Sequence, residues 1–160
     1  MSYPPSTSAE KIAYKHALLS FCMEQLLLRI DTARHNMNAA QQAANQEEKS
    51  SAGDKYETSR AMSHIDKDMH ARQLAAQLLE WANLQETDTS ILYNTPAKGA
   101  VIDCGETSIF IAAGLGKQAF SGRTILFVSP NAPLALQLYS KKAGDHFLLG
   151  KDKKTIHAIY

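Results

Sequence analysis

The sequence predicts an α+β protein: an N-terminal antiparallel α-helical coiled-coil hairpin, then a small antiparallel β-sheet domain with one short helix. Three observations predict it. Residues 7–85 contain one glycine, Gly53, and no proline, and are rich in Ala, Leu, Gln and Glu, all strong helix formers. Within that stretch apolar residues recur at alternating steps of four and three, the period of a helical seam. From Gly99 onward the texture changes to short β-branched and aromatic runs broken by glycine, which read as strands and turns.

On the first arm the seam runs through Leu19, Met23, Leu26, Ile30, Ala33, Met37, Ala40 and Ala44. On the second arm Met62, Ile65, Met69, Ala76 and Leu79 share the phase, with Thr58, Arg72 and Asn83 as polar members. Facing residues of an antiparallel hairpin have a constant index sum. The pairs Ala40/Met62, Met37/Ile65, Ala33/Met69, Leu26/Ala76 and Met23/Leu79 all share one, which centres the turn near residue 51. One register thus aligns both seams within a single chain, and a dimerising coiled coil is the alternative that heptads leave open. Toward the turn the first arm becomes alanine-rich (Ala39, Ala40, Ala43, Ala44), so the distal end is expected to be slim. Toward the base a second apolar face, with Leu18, Cys22 and Leu27 on one arm and Ala71, Leu74 and Leu78 on the other, is expected to pack on the second domain. An arm of about 28 residues reaches roughly 40 Å.

The domains therefore read as a hairpin over 7–85 with its tip at 47–57, a linker over 86–98, and a C-terminal domain over 99–160. Strands are expected at 100–104, 107–113, 124–128, 146–149 and 155–160. The segment 133–140 reads as a short helix, with Pro133 at its first position and Lys141 and Lys142 trailing it. Gly114, Gly116 and Lys117 suggest a phosphate loop, but Ile111 and Gln118 occupy places where that loop needs Gly and Ser or Thr; a β-turn is the better reading.

Charge and length narrow the function classes. The 160 residues carry a formal charge of +1, which argues against wrapping duplex DNA. That total is a cancellation. Residues 1–90 hold 9 Lys+Arg and 12 Asp+Glu, a net of −3, and residues 91–160 hold 8 and 4, a net of +4. No apolar run approaches the ~18 residues of a membrane span, and the polar start lacks a signal-peptide layout, so a cytoplasmic location is expected. Cys22 and Cys104 are too few for a disulfide framework, and the six histidines show no metal-ligand spacing. Lys141, Lys142, Lys151, Lys153 and Lys154 form a basic set, read either as solvated surface or as a contact for nucleic-acid or polymerase groups.

Beside the predicted turn stand Glu47, Glu48, Asp54 and Glu57. Asp54 and Glu57 have the spacing of a capping box, which accounts for them structurally. Carboxylates at the end of a thin probe also have the chemistry to share a divalent ion held elsewhere, since Mg²⁺ is often bound by one or two carboxylates plus phosphates and water. The two readings are compatible.

Two segments resemble the Gre-type transcript cleavage factors of bacterial RNA polymerase. Residues 128–145 are similar to that family's Ser-Pro-x-Ser-Pro-Leu-Gly-x-Ala-Leu-x-Gly-Lys-x-x-Gly-Asp signature, matching at Ser129, Pro130, Pro133, Leu134, Leu138, Lys141, Gly144 and Asp145 and departing at Ala132, Ala135, Gln137 and Ser140. Gly53, Asp54 and Glu57 resemble its tip motif, with Lys55, Thr58 and Ala61 as departures. The resemblance implies an FKBP-like C-terminal domain and a monomer that binds RNA polymerase. It implies that the hairpin enters the secondary channel, with nascent RNA in the same complex. Asp54 and Glu57 would help hold a Mg²⁺ supplied in the polymerase active site, which then cuts backtracked RNA. Ser129, Pro130, Pro133, Leu134, Lys141, Lys142, Gly144 and Asp145 would make the partner-binding surface. The protein would have no cofactor of its own and would not be a self-sufficient enzyme. Three alternatives stay open: a channel-binding regulator without cleavage, a peptidyl-prolyl isomerase suggested only by fold analogy, and a coiled-coil adaptor.

Overall fold

The computed structural model of the chain describes residues 3–49 and 53–160, with side chains described outside 47–56. It is α+β. Helices α1 (Ser8–Lys49) and α2 (Gly53–Gln85) pack against each other. They are followed by β1 (Val101–Asp103), β2 (Thr107–Ile111), β3 (Gly116–Phe120), β4 (Arg123–Val128), α3 (Pro133–Leu138), β5 (His146–Leu149), β6 (Asp152–Thr155) and β7 (Ala158–Ile159). Two compact units result. One comprises the chain up to Gln25 together with Glu80–Tyr160, and the other is Leu26–Leu79. The division falls across the two long helices and not at residues 86–98, so the helix bases belong with the sheet.

In the first unit a capping box starts α1. The Glu10 backbone N–H donates to Thr7 Oγ1 at 3.2 Å, and the Glu10 carboxylate accepts from the Ser6 and Thr7 N–H groups at 2.8 and 3.1 Å. These donors hold the Glu10 carboxyl below its ordinary value. The five-stranded sheet has the order β3-β4-β2-β1-β7. Its pairs are antiparallel, as expected, except β2 with β4, which run parallel from Thr107↔Thr124 to Ile111↔Val128. The cause is β3, which the sequence reading assigned to a turn. The turn occupies 112–115, and the strand begins at Gly116. Ser121 and Gly122, both at positive φ (49° and 75°), then reverse the chain in two residues so that β4 returns alongside β2. The expected strand over 155–160 is also divided. Its start belongs to β6, paired with β5 in a separate two-stranded sheet, and its end to β7.

Strand alternation sorts the core onto two faces. Ile109 and Ile111 of β2, with Ile102 and Val128, pack with Ala135 and Leu138 of α3 and with Phe147 and Ile156. Phe110, between those two isoleucines, meets Phe127 at 6.1 Å between ring centres. Phe127 in turn meets Phe21 of α1 at 5.5 Å, and Phe21 and Tyr14 both meet Phe120. Leu18 and Cys22 are fully buried, as expected for the apolar base, but the rest of that expected face is not: Leu74 is half-buried, and Leu27, Ala71 and Leu78 are exposed.

Residues 86–98 carry neither helix nor strand but are anchored. Thr87 Oγ1 donates to the Asn83 carbonyl at 2.8 Å, Lys98 pairs with Glu86 at 3.6 Å, and the Gly99 N–H donates to Ile111 O at 2.7 Å. Gly99 sits at φ +89°, and a Cβ there would stand 2.9 Å from the Asp88 carbonyl oxygen. Gly99→Ala is therefore expected to cost about 2–4 kcal/mol in urea unfolding, backbone strain plus a clash with main chain. Gly144→Ala, also at positive φ but facing open space, should cost only about 1–2 kcal/mol. Equal costs would show that the close approach at Gly99 is unimportant.

In the second unit the first-arm seam is as expected: Leu26, Ile30, Ala33 and Ala44 are buried. The second-arm register is not. Met62, Ile65, Met69 and Leu79 are 57, 61, 56 and 66% exposed. The half-buried line of α2 is Ser59, Ser63, Lys67, His70, Leu74 and Gln77, one residue away from the apolar seam for most of its length. One residue is about 100° of rotation. The turned helix offers small Ser59 and Ser63 to an arm that is itself alanine-rich, which permits close approach, and it leaves the long apolar side chains outside. Apolar periodicity located the stripe; it did not say which way the stripe faces.

Candidate functional site

The tip is built by helix geometry. α2 begins at Gly53, so Asp54 lies inside its first turn and not ahead of it as a cap; its side chain, with those of Glu47 and Glu48, lies outside the described residues. Glu57 is exposed. Positions 54 and 57 are three apart on one helix and so share a face, and the helix N-terminus favours carboxylates there. Among the described residues no group of three or more His, Cys, Asp or Glu side chains converges on a metal position. Two carboxylates fill only part of a Mg²⁺ shell, and as hard oxygen donors they fit an ion whose other ligands come from phosphates, water or another protein.

Most residues of the 128–145 segment have architectural work. Ser129 O accepts from the Ala132 N–H, closing the turn after β4. Pro130 O accepts from Tyr139 Oη at 2.7 Å, tying the turn to the end of α3. Pro133 occupies the first turn of α3, where a missing N–H is harmless. Leu134 packs against the core and Leu138 is buried within it. Lys141 follows with its N–H on Leu138 O. The Asp145 carboxylate accepts from the Lys142 N–H at 2.9 Å, while Gly144 at φ +92° donates to Ile156 O at 2.8 Å. The Lys142 side chain is exposed and that of Lys141 half-buried. The segment is a brace with a basic edge.

Sequence reasoning missed two polar features because their members are scattered along the chain. The first is Lys15, fully buried, whose Nζ donates to Ile91 O and lies 4.7 Å from the centre of the Tyr93 ring. Burial pulls its pKa down to about 8, against the pull of the Asp88 carboxylate. The second gathers Tyr3, Tyr14, Asp103, Ser108, Arg123 and Tyr160. Tyr3 Oη and Ser108 Oγ are 2.8 Å apart, the Arg123 guanidinium lies over the Tyr3 ring at 3.4 Å, and Arg123 stands 3.8 Å from Asp103. Tyr14 Oη, Tyr160 Oη and Arg123 Nε are buried without a hydrogen-bond partner among the described residues. Burial pushes the Tyr14 phenol up to about 12 and the Tyr160 phenol higher still. Both thiols are likewise poor nucleophiles. Burial raises Cys22 to about 12 and Cys104 to about 11, with Glu80 and Asp103 respectively adding to the shift.

Comparison with protein-family models, curated proteins and solved structures returns no match. No helix among the described residues is long and apolar enough to cross a membrane.

Proposed function

We propose that this chain is an RNA polymerase-binding elongation factor of Gre type, which places its two-helix unit in the polymerase's secondary channel and stimulates cleavage of backtracked RNA. The observation that carries the reading is the pairing of two acids, Asp54 and exposed Glu57, in the first turns of α2, where the second unit's helices begin and end. The Gre-like 128–145 segment supports it, folded as a brace with Lys141 and Lys142 at its edge. In this reading Asp54 and Glu57 present carboxylate oxygens to a Mg²⁺ that the polymerase also holds, and the ion's chemistry is activation of water for attack on a phosphodiester. The factor's own residues supply position and negative charge. The test is release of 3′ RNA fragments from a backtracked complex by wild type, and its loss in the Asp54→Ala/Glu57→Ala chain. Lys49 and Lys55 beside the acids, with Thr58 and Ala61 in place of the family's Asn and Tyr, favour a second reading: channel occupancy without cleavage. Competition with another channel-binding factor, without fragment release, selects that one.

A further inference from the structure

We infer that the outward stripe of α2 is a self-association surface, on which a second copy of this chain packs antiparallel. Met62, Ile65, Met69 and Leu79 are each more than half exposed, and Ile65, Asp68, Met69 and Arg72 line an open groove along the helix. Four large apolar side chains in line on one helix face form a coherent patch, unlike scattered exposed residues. Their steps of three and four, with Arg72 and Ala76 completing the series, are those of a coiled-coil seam. Charge and shape select a second copy of the chain as the occupant. In a parallel, in-register pair Arg72 would meet Arg72 and Asp68 would meet Asp68, both repulsive. Turned antiparallel about a two-fold axis between His70 and Ala71, the stripe becomes self-complementary. Met62 then lies against Leu79 of the second copy, and Ile65 against the small Ala76. Arg72 lies against Met69, with Asp68 of the second copy beside its guanidinium. The lone charged member of the seam thereby gains a carboxylate partner across the interface.

The consequence for activity rests on the channel reading. A helix pair covered by a second copy is too thick to act as a thin probe, so self-association and channel entry exclude one another, and concentration sets the balance.

The test is sedimentation velocity on the full chain from about 1 μM to about 1 mM. A concentration-dependent dimer is expected, with Ile65→Asp and Met69→Asp each weakening it at least about tenfold. These sites are exposed, so helicity by circular dichroism should be unchanged. Arg72→Asp alone should abolish the dimer, and Asp68→Arg/Arg72→Asp should restore it. A chain that stays monomeric to 1 mM overturns the inference, as does a dimer indifferent to Ile65→Asp or a charge exchange that fails to restore pairing. A monomeric wild type whose Ile65→Asp variant loses polymerase binding assigns the stripe to the polymerase. That result overturns self-pairing and leaves the channel reading standing. A dimer that obeys the charge exchange but binds no polymerase supports this inference and removes the channel reading.

Discussion

Removing both tip carboxylates, in the chain Asp54→Ala/Glu57→Ala, is expected to reduce stimulated cleavage of backtracked RNA by about 100-fold or more, the scale of losing a group that stabilises developing charge. Binding to polymerase should persist, because the contacts assigned to residues 128–145 are untouched. The single variants should each lose most of the effect, because two oxygens sharing one ion act as a unit and removals of such partners are not additive. The conservative change Glu57→Gln tests charge against shape. It keeps an oxygen at the same reach and removes the negative charge, so it should behave nearly as badly as Glu57→Ala. The readout is the rate of fragment release at saturating factor. Folding is not the obstacle, since Glu57 is exposed. If wild type releases fragments and the double variant does so equally fast, the acids are helix-terminal charges and nothing more.

Lys15→Met is expected to raise stability by about 1–3 kcal/mol at pH 7, because it replaces a fully buried charge with an apolar side chain of similar length. The carbonyl it abandons belongs to Ile91, which is exposed and can turn to water. The advantage should shrink with pH. Folded Lys15 releases its proton near pH 8, whereas the unfolded chain holds it to about 10.5. Between those values the unfolded state binds more protons, so wild type gains on the variant by at most about 1.4 kcal/mol per pH unit. The thiols and phenols work the other way. Their folded pKa values are raised, so each costs stability as pH climbs past the value of the unfolded group. That loss is common to both chains and cancels in the difference. Urea unfolding of the pair at pH 7, 8, 9 and 10 measures it. A variant less stable than wild type at pH 7, by an amount that does not change with pH, would show the ammonium to be a net stabilising bond to Ile91 and Tyr93.

Features written in one stretch of sequence were legible, and features assembled from distant residues were not. The helical half was readable from 7–85 because its composition is so free of glycine and proline, and the first-arm seam because burial at Leu26, Ile30 and Ala33 follows its period. Pro133 marked the start of α3 for a local steric reason. The rotation of α2 was not readable, since the stripe of Met62, Ile65 and Met69 and the line of Ser63 and His70 lie one residue apart, and period alone cannot choose between them. Strand β3 was hidden by Gly116 at its first position, where glycine serves a positive φ and not a turn centre. Lys15 and the Tyr3–Arg123 cluster had no local signature at all, their members being brought together from positions far apart in the chain. At the candidate site the acids were visible as a motif. The roles of Pro130, Gly144 and Asp145 as a brace needed the hydrogen bonds to be seen.

Entry of the helical tip into a polymerase is open to a direct crosslinking measurement. Carrying a photo-crosslinking residue in place of Glu57, the full chain is mixed with purified bacterial RNA polymerase and irradiated. A crosslink to a polymerase segment bordering the catalytic metal site, competed away by an established channel-binding factor, is the expected result. No association with polymerase at tens of micromolar, or a crosslink only to the polymerase exterior, would contradict it.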